Sequence, residues 1–306
     1  MSMLNVIKSN LHIKDTAFVA VHTFATGHQV PVYDVMTYHA LNQILGHVKF
    51  NNRQYGNVYY RGECKLHDTL IPSLMRKGSN PHKLSAMLVD IVDKVMADAK
   101  LPRTLNLVNN NAKHIVEGVL QHYGIPTRNI DLVDNHWVAL WMGLHKCSSY
   151  KSILTYYHYN KREIPLVHLA EGKNIPSEDL YQYILLVAMP YASQRLNDGV
   201  CHSKDFIEID LRQALPSFFI RPHAQHGIVA KRKVEQCNSC SDYDMASQVC
   251  AIFRIRIDRA AKWIGTGDML TQENLFPSPA YDGGYDRLLQ RDDIFKTQNF
   301  EIAKYF

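Results

Sequence analysis

The sequence predicts an α+β fold: a mixed, largely antiparallel sheet assembled mainly from the second half of the chain and covered by helices from the first half. Three observations predict it. Apolar residues recur with a 3.6-residue period between residues 81 and 144, β-formers prevail beyond residue 150, and turn residues separate those later runs. Helices first and strands later do not make the alternating pattern of a parallel α/β sheet. A second-half sheet needs the first-half helices to cover it. That favours one integrated domain, residues 51–306, with residues 1–50 as an N-terminal extension packed on it.

Taken in order, Phe18 to Val35 mixes Thr, Gly27 and Pro31 with apolar residues and reads as strand or loop. Tyr38 to Val48 is a short helix, with Leu41, Ile44 and Leu45 on one face. Gln54 to Gly62 is a strand because Val58, Tyr59 and Tyr60 are strong β-formers. A helix follows from Pro81 to Ala99, with Leu84, Met87, Leu88, Ile91, Val92, Val95 and Met96 on its apolar face. Asn80-Pro81 starts it and Lys100-Leu101-Pro102 stops it. A second helix spans Asn111 to Tyr123, with Ile115, Val116, Val119 and Leu120 inward and Gly124 beyond its end. A third begins near Asn135 and carries Trp137, Val138, Leu140, Trp141 and Leu144. Strands follow at Ser152–Tyr159, Tyr181–Met189, Phe206–Ile209, Ile228–Val234 and Cys250–Ile257.

Composition sets outer bounds. With 306 residues, 46% of them hydrophobic and 21% charged, the chain can bury a sizeable core. No apolar run is long enough to span a bilayer, and residues 1–14 lack a signal-peptide pattern, so no membrane association is expected. Six scattered cysteines suggest reduced thiols and a cytoplasmic location. A net charge of +5 permits an anionic partner without requiring one.

Four stretches differ from ordinary core. Tyr60-Arg61-Gly62-Glu63 is followed by Leu70 to Arg76; then come Gln121 to Asp131 with Trp137 to Leu140, Arg221 to Val229, and Leu275-Phe276-Pro277 with Asp282-Gly283. In register, they resemble the FRG domain, whose pattern runs from an aromatic-Arg-Gly strand through Gln-His-Tyr-Gly-x-Pro-Thr-Arg to a Gln-x-Gly segment. The chain departs from the pattern at Asn129-Ile130 and Leu132, and at Ile228 after Gln225-His226-Gly227.

The FRG pattern in turn resembles the ADP-ribosyltransferase fold. That resemblance implies an NAD-dependent ADP-ribosyltransferase-like enzyme, with NAD as substrate and a nucleic-acid or protein acceptor. A toxin or phage-defence effector, neutralised by an antitoxin or inhibitor protein, is the setting it suggests. It makes Arg61 the ribose or phosphate anchor and Gly62 the backbone clamp for nicotinamide. Gln225 occupies the catalytic position on a later strand, where an acid is usual. The middle Ser/Thr motif of the Arg-type transferases is absent, with Thr127 and Asp131 in the nearest equivalent stretch.

The chemistry of the residues fits that reading. Cleaving the nicotinamide–ribose bond builds positive charge on ribose, so the site needs a phosphate anchor and a nearby carboxylate or dipole. Catalytic candidates are Arg61, Asp131 and Gln225; Tyr60, Gly62, Arg76, His122, Tyr123, Thr127 and Arg128 join Arg61 as cofactor-binding candidates. Each has a plainer reading: an ion pair of Arg61 with Glu63 or Asp131, a turn glycine at 62, a packed helix end at His122-Tyr123, a helix cap and salt bridge at Thr127, Arg128 and Asp131, a strand-edge amide at Gln225, a solvated charge at Arg76. Lys231-Arg232-Lys233 is either a nucleic-acid contact or a solvated face. Cys237-x-x-Cys240, with Cys250 and His226, matches no strong zinc pattern, and no metal is assigned. The rival to the enzyme is a non-catalytic nucleotide or nucleic-acid binding module.

Overall fold

The computed structural model describes residues 3–98, 111–151, 155–164, 177–192, 194–195 and 198–305. Local signals set the main helices. Thr37 caps α1 (Tyr38–Asn52), and the Asn80 side chain accepts from Lys83 N at 3.0 Å to start α2 (Pro81–Ala97). The stop signal at residues 100–102 lies outside the described residues. Helix α3 (Ala112–His122) ends where Gly124 takes a φ of 92°, a left-handed conformation that favours glycine. Asn135 caps α4 (His136–Leu144) by accepting from Trp137 N.

A ten-stranded sheet forms the centre. Its strands are β1 (Thr16–Thr23), β2 (Gln29–Val35), β3 (Gly56–Glu63), β4 (Ile130–Val133), β7 (Tyr181–Pro190), β8 (Gln194–Arg195), β9 (Val200–His202), β10 (Phe206–Asp210), β11 (Gly227–Arg232) and β12 (Val249–Arg256). They lie in the order β1-β2-β12-β7-β3-β4-β11-β10-β9-β8. All pairings are antiparallel except β12 with β2. The second half supplies most strands, but β3 and β4 from the first half sit at the middle. The mixed segment from Phe18 to Val35 is the β1–β2 hairpin, and Ile257, expected at a strand end, opens α5 (Ile257–Ile264) instead. A smaller sheet joins β5 (His145–Lys151), β6 (Thr155–Lys161) and β13 (Lys304–Tyr305). Ser152, where a strand was expected to begin, lies outside the described residues.

Alternation along the strands sorts the core. Tyr60 on β3, Ile184 and Leu186 on β7, and Phe253 on β12 pack with α1, α4 and α5. Ile207, Ile209 and Val229 pack with α2, α3 and α6 (Gly283–Leu289). The opposite side, with Tyr59, Leu185, Val187 and Ile228, closes on itself. There Tyr59 on β3 donates to Glu208 on β10, three strands away, so the sheet must curl strongly. Two helix groups thus cover the sheet, one over β3 and one over β11. The β3–β4 seam runs between them.

Candidate functional site

A cavity of about 870 Å³ opens at that seam, a size typical of small-molecule and cofactor sites. Pairing of β3 with β4 is confined to Tyr60 with Val133. Beyond that pair the Asp131 carbonyl is taken by the Arg61 guanidinium, Nη1 donating at 2.8 Å. The two-residue period of β3 puts Glu63 beside Arg61, and Arg61 Nε donates to Glu63 Oε1 at 2.6 Å. Burial opposes the Arg61 charge, but Glu63 and Asp131 outweigh it and hold the guanidinium firmly protonated. Arg61 is therefore both ion-paired and cavity-lining.

Gly62 owes its identity to packing. A Cβ there would sit 1.9 Å from the Ala139 carbonyl oxygen and 2.8 Å from Gly143 N, both on α4. Its φ is not in the left-handed region, so it is no turn glycine. The close approach it permits is that of a helix backbone.

Asp131 projects into the cavity from β4, its side chain 47% exposed. Gln121 at the end of α3 donates Nε2 to Asp131 Oδ2 at 2.6 Å, and Thr127 Oγ1 donates to Gln121 Oε1 at 2.7 Å. Thr127 itself is wholly buried and accepts from Asn129 N. It holds the carboxylate through Gln121 rather than facing a ligand. His122 lines the cavity beside Asp131, its Nε2 4.0 Å from Asp131 Oδ1. Neither ring nitrogen has a hydrogen-bond partner. Burial drives the imidazole pKa down to about 4; Asp131 opposes and Arg221 reinforces the shift, so the ring is neutral near pH 7.

Other sequence candidates take different places. Tyr60 touches the cavity but belongs to the core, with the Lys49 ammonium 4.5 Å from its ring centroid; burial raises its phenol to about 12. Arg76 is exposed at the cavity, with no carboxylate in ion-pair range among the described residues; desolvation and then Arg61 lower its pKa. Tyr123 does not reach the cavity: its ring packs on Phe219 and Tyr285, and its hydroxyl donates to Asp282 at 2.7 Å. Arg128 forks onto buried Glu117, Nε to Oε1 at 3.1 Å and Nη2 to Oε2 at 2.8 Å. Gln225 lines the cavity at the end of the helical turn Ile220–Ala224 and donates Nε2 to Leu275 O at 2.7 Å.

The basic run does not form an exposed patch. Lys231 is buried and its ammonium donates to Glu117 Oε2; Arg232 donates to Asp244 O, and Lys233 to Ser203 O. Cys237 and Cys240 donate to the Ser239 and Gly78 carbonyls. Among the described residues no group of three His, Cys, Asp or Glu side chains gathers to hold a metal.

Several cavity residues had no site role in the sequence reading, although Phe276 stands in one of its motif stretches. Tyr157 and Tyr159 on β6, Phe276, and Tyr305 on β13 form an aromatic wall, with Tyr159 stacked on Phe276 at 4.5 Å. Trp141 on α4 stacks at 4.0 Å on His145, another wall residue. Behind the wall lies Arg221, fully buried, its guanidinium within 4.7 Å of the ring centroids of Tyr123, Tyr285 and Tyr305. Arg221 Nη1 donates to His122 O, which fixes the backbone under the His122 ring. Around the cavity Arg61, Lys65, Arg76, Lys146 and Arg162 face Glu63, Asp131 and Asp179, an excess of positive charge.

No curated protein and no solved structure matches the chain. The FRG domain family model matches residues 56–151, from β3 to β5, and so takes in Arg61, Arg76, Gln121, His122 and Asp131 but not Gln225 or Lys231. An FRG domain is therefore present over residues 56–151.

Proposed function

We propose that this FRG domain binds NAD in the seam cavity and transfers ADP-ribose to a macromolecular acceptor. The observation that carries the reading is Asp131: a half-exposed carboxylate, held from behind by Gln121 and Thr127, inside a cavity with cationic and aromatic walls. Arg76 and Arg61 suit the pyrophosphate, and the Tyr159–Phe276–Tyr305 wall suits a base or nicotinamide ring. The nicotinamide–ribose C–N bond breaks with its electron pair leaving on nicotinamide. In this reading Asp131 stabilises the resulting ribosyl cation. The acceptor nucleophile then bonds to that carbon and releases its proton to Asp131 or water. With Lys231 buried, the basic run no longer favours nucleic acid over protein as acceptor.

A second reading, nucleotide binding without transfer, is favoured by two engaged groups. Arg61 is paired with Glu63, and the Gln225 amide with the Leu275 carbonyl. Incubation with nicotinamide-labelled NAD and cell lysate separates the readings. Transfer predicts nicotinamide release that falls at least a hundredfold in Asp131→Asn with melting unchanged, and about tenfold weaker binding in Arg76→Ala. An Asp131→Asn protein that releases nicotinamide at the wild-type rate refutes the transferase. NAD binding with no release from the folded wild type establishes the second reading.

A further inference from the structure

His122 presents two unpartnered ring nitrogens in a side chain only 3% exposed, at the edge of the cavity. Buried polar groups are rarely left so, and an unsatisfied one beside a cavity points to what fills the cavity. Its neighbour Asp131 has committed Oδ2 to Gln121, leaving Oδ1 at 4.0 Å from His122 Nε2. That separation is too long for a hydrogen bond. One oxygen about 2.8 Å from each atom, at the apex of a triangle, would satisfy both; Nε2 is closed to solvent, so seating that oxygen takes a small tilt of the ring toward the cavity.

The chemistry of the pair selects that oxygen. Asp131 Oδ1 needs a donor. A neutral imidazole offers one N–H and one acceptor nitrogen. A hydroxyl can donate to the carboxylate and accept from the ring at once. A phosphate oxygen has no proton to give and is repelled by the carboxylate. The ring cannot turn away freely, because the Gly227 α-carbon abuts it: a Cβ there would lie 2.4 Å from His122 Cε1. Arg61 Nη1 binds the main-chain oxygen of this same Asp131, so a cation for phosphate stands next to the hydroxyl position.

We infer that the His122–Asp131 pair is a ribose-hydroxyl subsite, and that the cavity accepts ribonucleotides and discriminates against forms lacking that hydroxyl. The inference rests on the nucleotide reading above and specifies its sugar. A site built to hydrogen-bond a hydroxyl rejects the analogue without it, because its own buried groups are then left unpartnered.

The test is calorimetric titration of the full chain with ADP-ribose, which has no nicotinamide bond to cleave, and with four analogues each lacking one 2′- or 3′-hydroxyl of one ribose. One analogue is expected to bind at least tenfold more weakly than ADP-ribose. In Asp131→Asn and in His122→Gln, each checked for folding by circular dichroism, that ratio should shrink to less than threefold. Four analogues that all match ADP-ribose within twofold overturn the inference and leave the nucleotide reading standing. So does a tenfold ratio that survives in both variants. Folded protein that binds no ADP-ribose at all overturns the nucleotide reading and the inference with it.

Discussion

Replacing Glu117 by Gln should destabilise the protein by about 3 to 5 kcal/mol, the cost of leaving a buried charge without its partner. Glu117 is 1% exposed and collects the Lys231 ammonium, the Arg128 fork and the Arg128 backbone N–H on one carboxylate. Burial alone would raise its pKa; Lys231 and Arg128 outweigh burial and hold it at about 2, against 4.5 for a free glutamate. That difference corresponds to about 3 kcal/mol at neutral pH, a stabilisation complete above about pH 4.5 and lost as the pH falls through about 2. In Glu117→Gln the Lys231 ammonium stays 4% exposed with no counter-charge. At roughly 2 °C per kcal/mol for a chain of this size, melting should drop by about 6 to 10 °C. The double variant Glu117→Met, Lys231→Met removes the fully buried pair, leaves the partly exposed Arg128 to solvent, and should recover part of the loss. Thermal denaturation of the three proteins decides it. A single variant melting within about 2 °C of wild type, or a double variant below the single, would refute the reasoning.

Three further outcomes follow from the same geometry. Gly62→Ala forces a methyl against the Ala139 carbonyl and should cost at least about 3 kcal/mol, read as loss of folded yield and of the unfolding midpoint. Thr127→Val leaves Gln121 Oε1 and Asn129 N without their partner and should cost about 1 to 3 kcal/mol; nicotinamide release should fall with it, and Thr127→Ser should restore both. Finally, His114, His122 and His136 are each driven from 6.5 to about 4, first of all by burial. The native state binds fewer protons than the unfolded state in that interval, so the stability these rings contribute is full above about pH 6.5 and lost by about pH 4. Melting followed from pH 7.5 to 3.5 should show this decline, and His122→Gln should flatten it; equal slopes in the two proteins would contradict the assignment.

The sequence revealed the helices more clearly than the neighbours of each strand. Asn80-Pro81 and Asn135 announce their helices because capping is local. Strand order is not local: nothing near Val58 says that β7 and β4 will flank it. The Gln121–Asp131 run was legible as a candidate stretch, but which of its residues reach the cavity was not. Asp131 and His122 face the cavity, whereas Tyr123, Thr127 and Arg128 turn inward. Gln121, which aims the carboxylate, opens the same motif but was given no site role. The Lys231 run was read as surface because charge usually is. The contrary signal was Glu117, a lone acid among Ile115, Val116, Val119 and Leu120, which called for a buried cation on a neighbouring element.

The contact at Gly62 also has a mechanical side. Where a strand and a helix touch through side chains, rotamer changes absorb small displacements. Between Gly62 and Ala139 there is no such cushion. On the proposed reading, a shift of Arg61 on binding an anion would pass directly into α4, two residues before Trp141, whose indole is stacked on the His145 ring in the cavity wall. The protein therefore carries its own optical gauge: indole emission should change as the cavity fills, without any added dye.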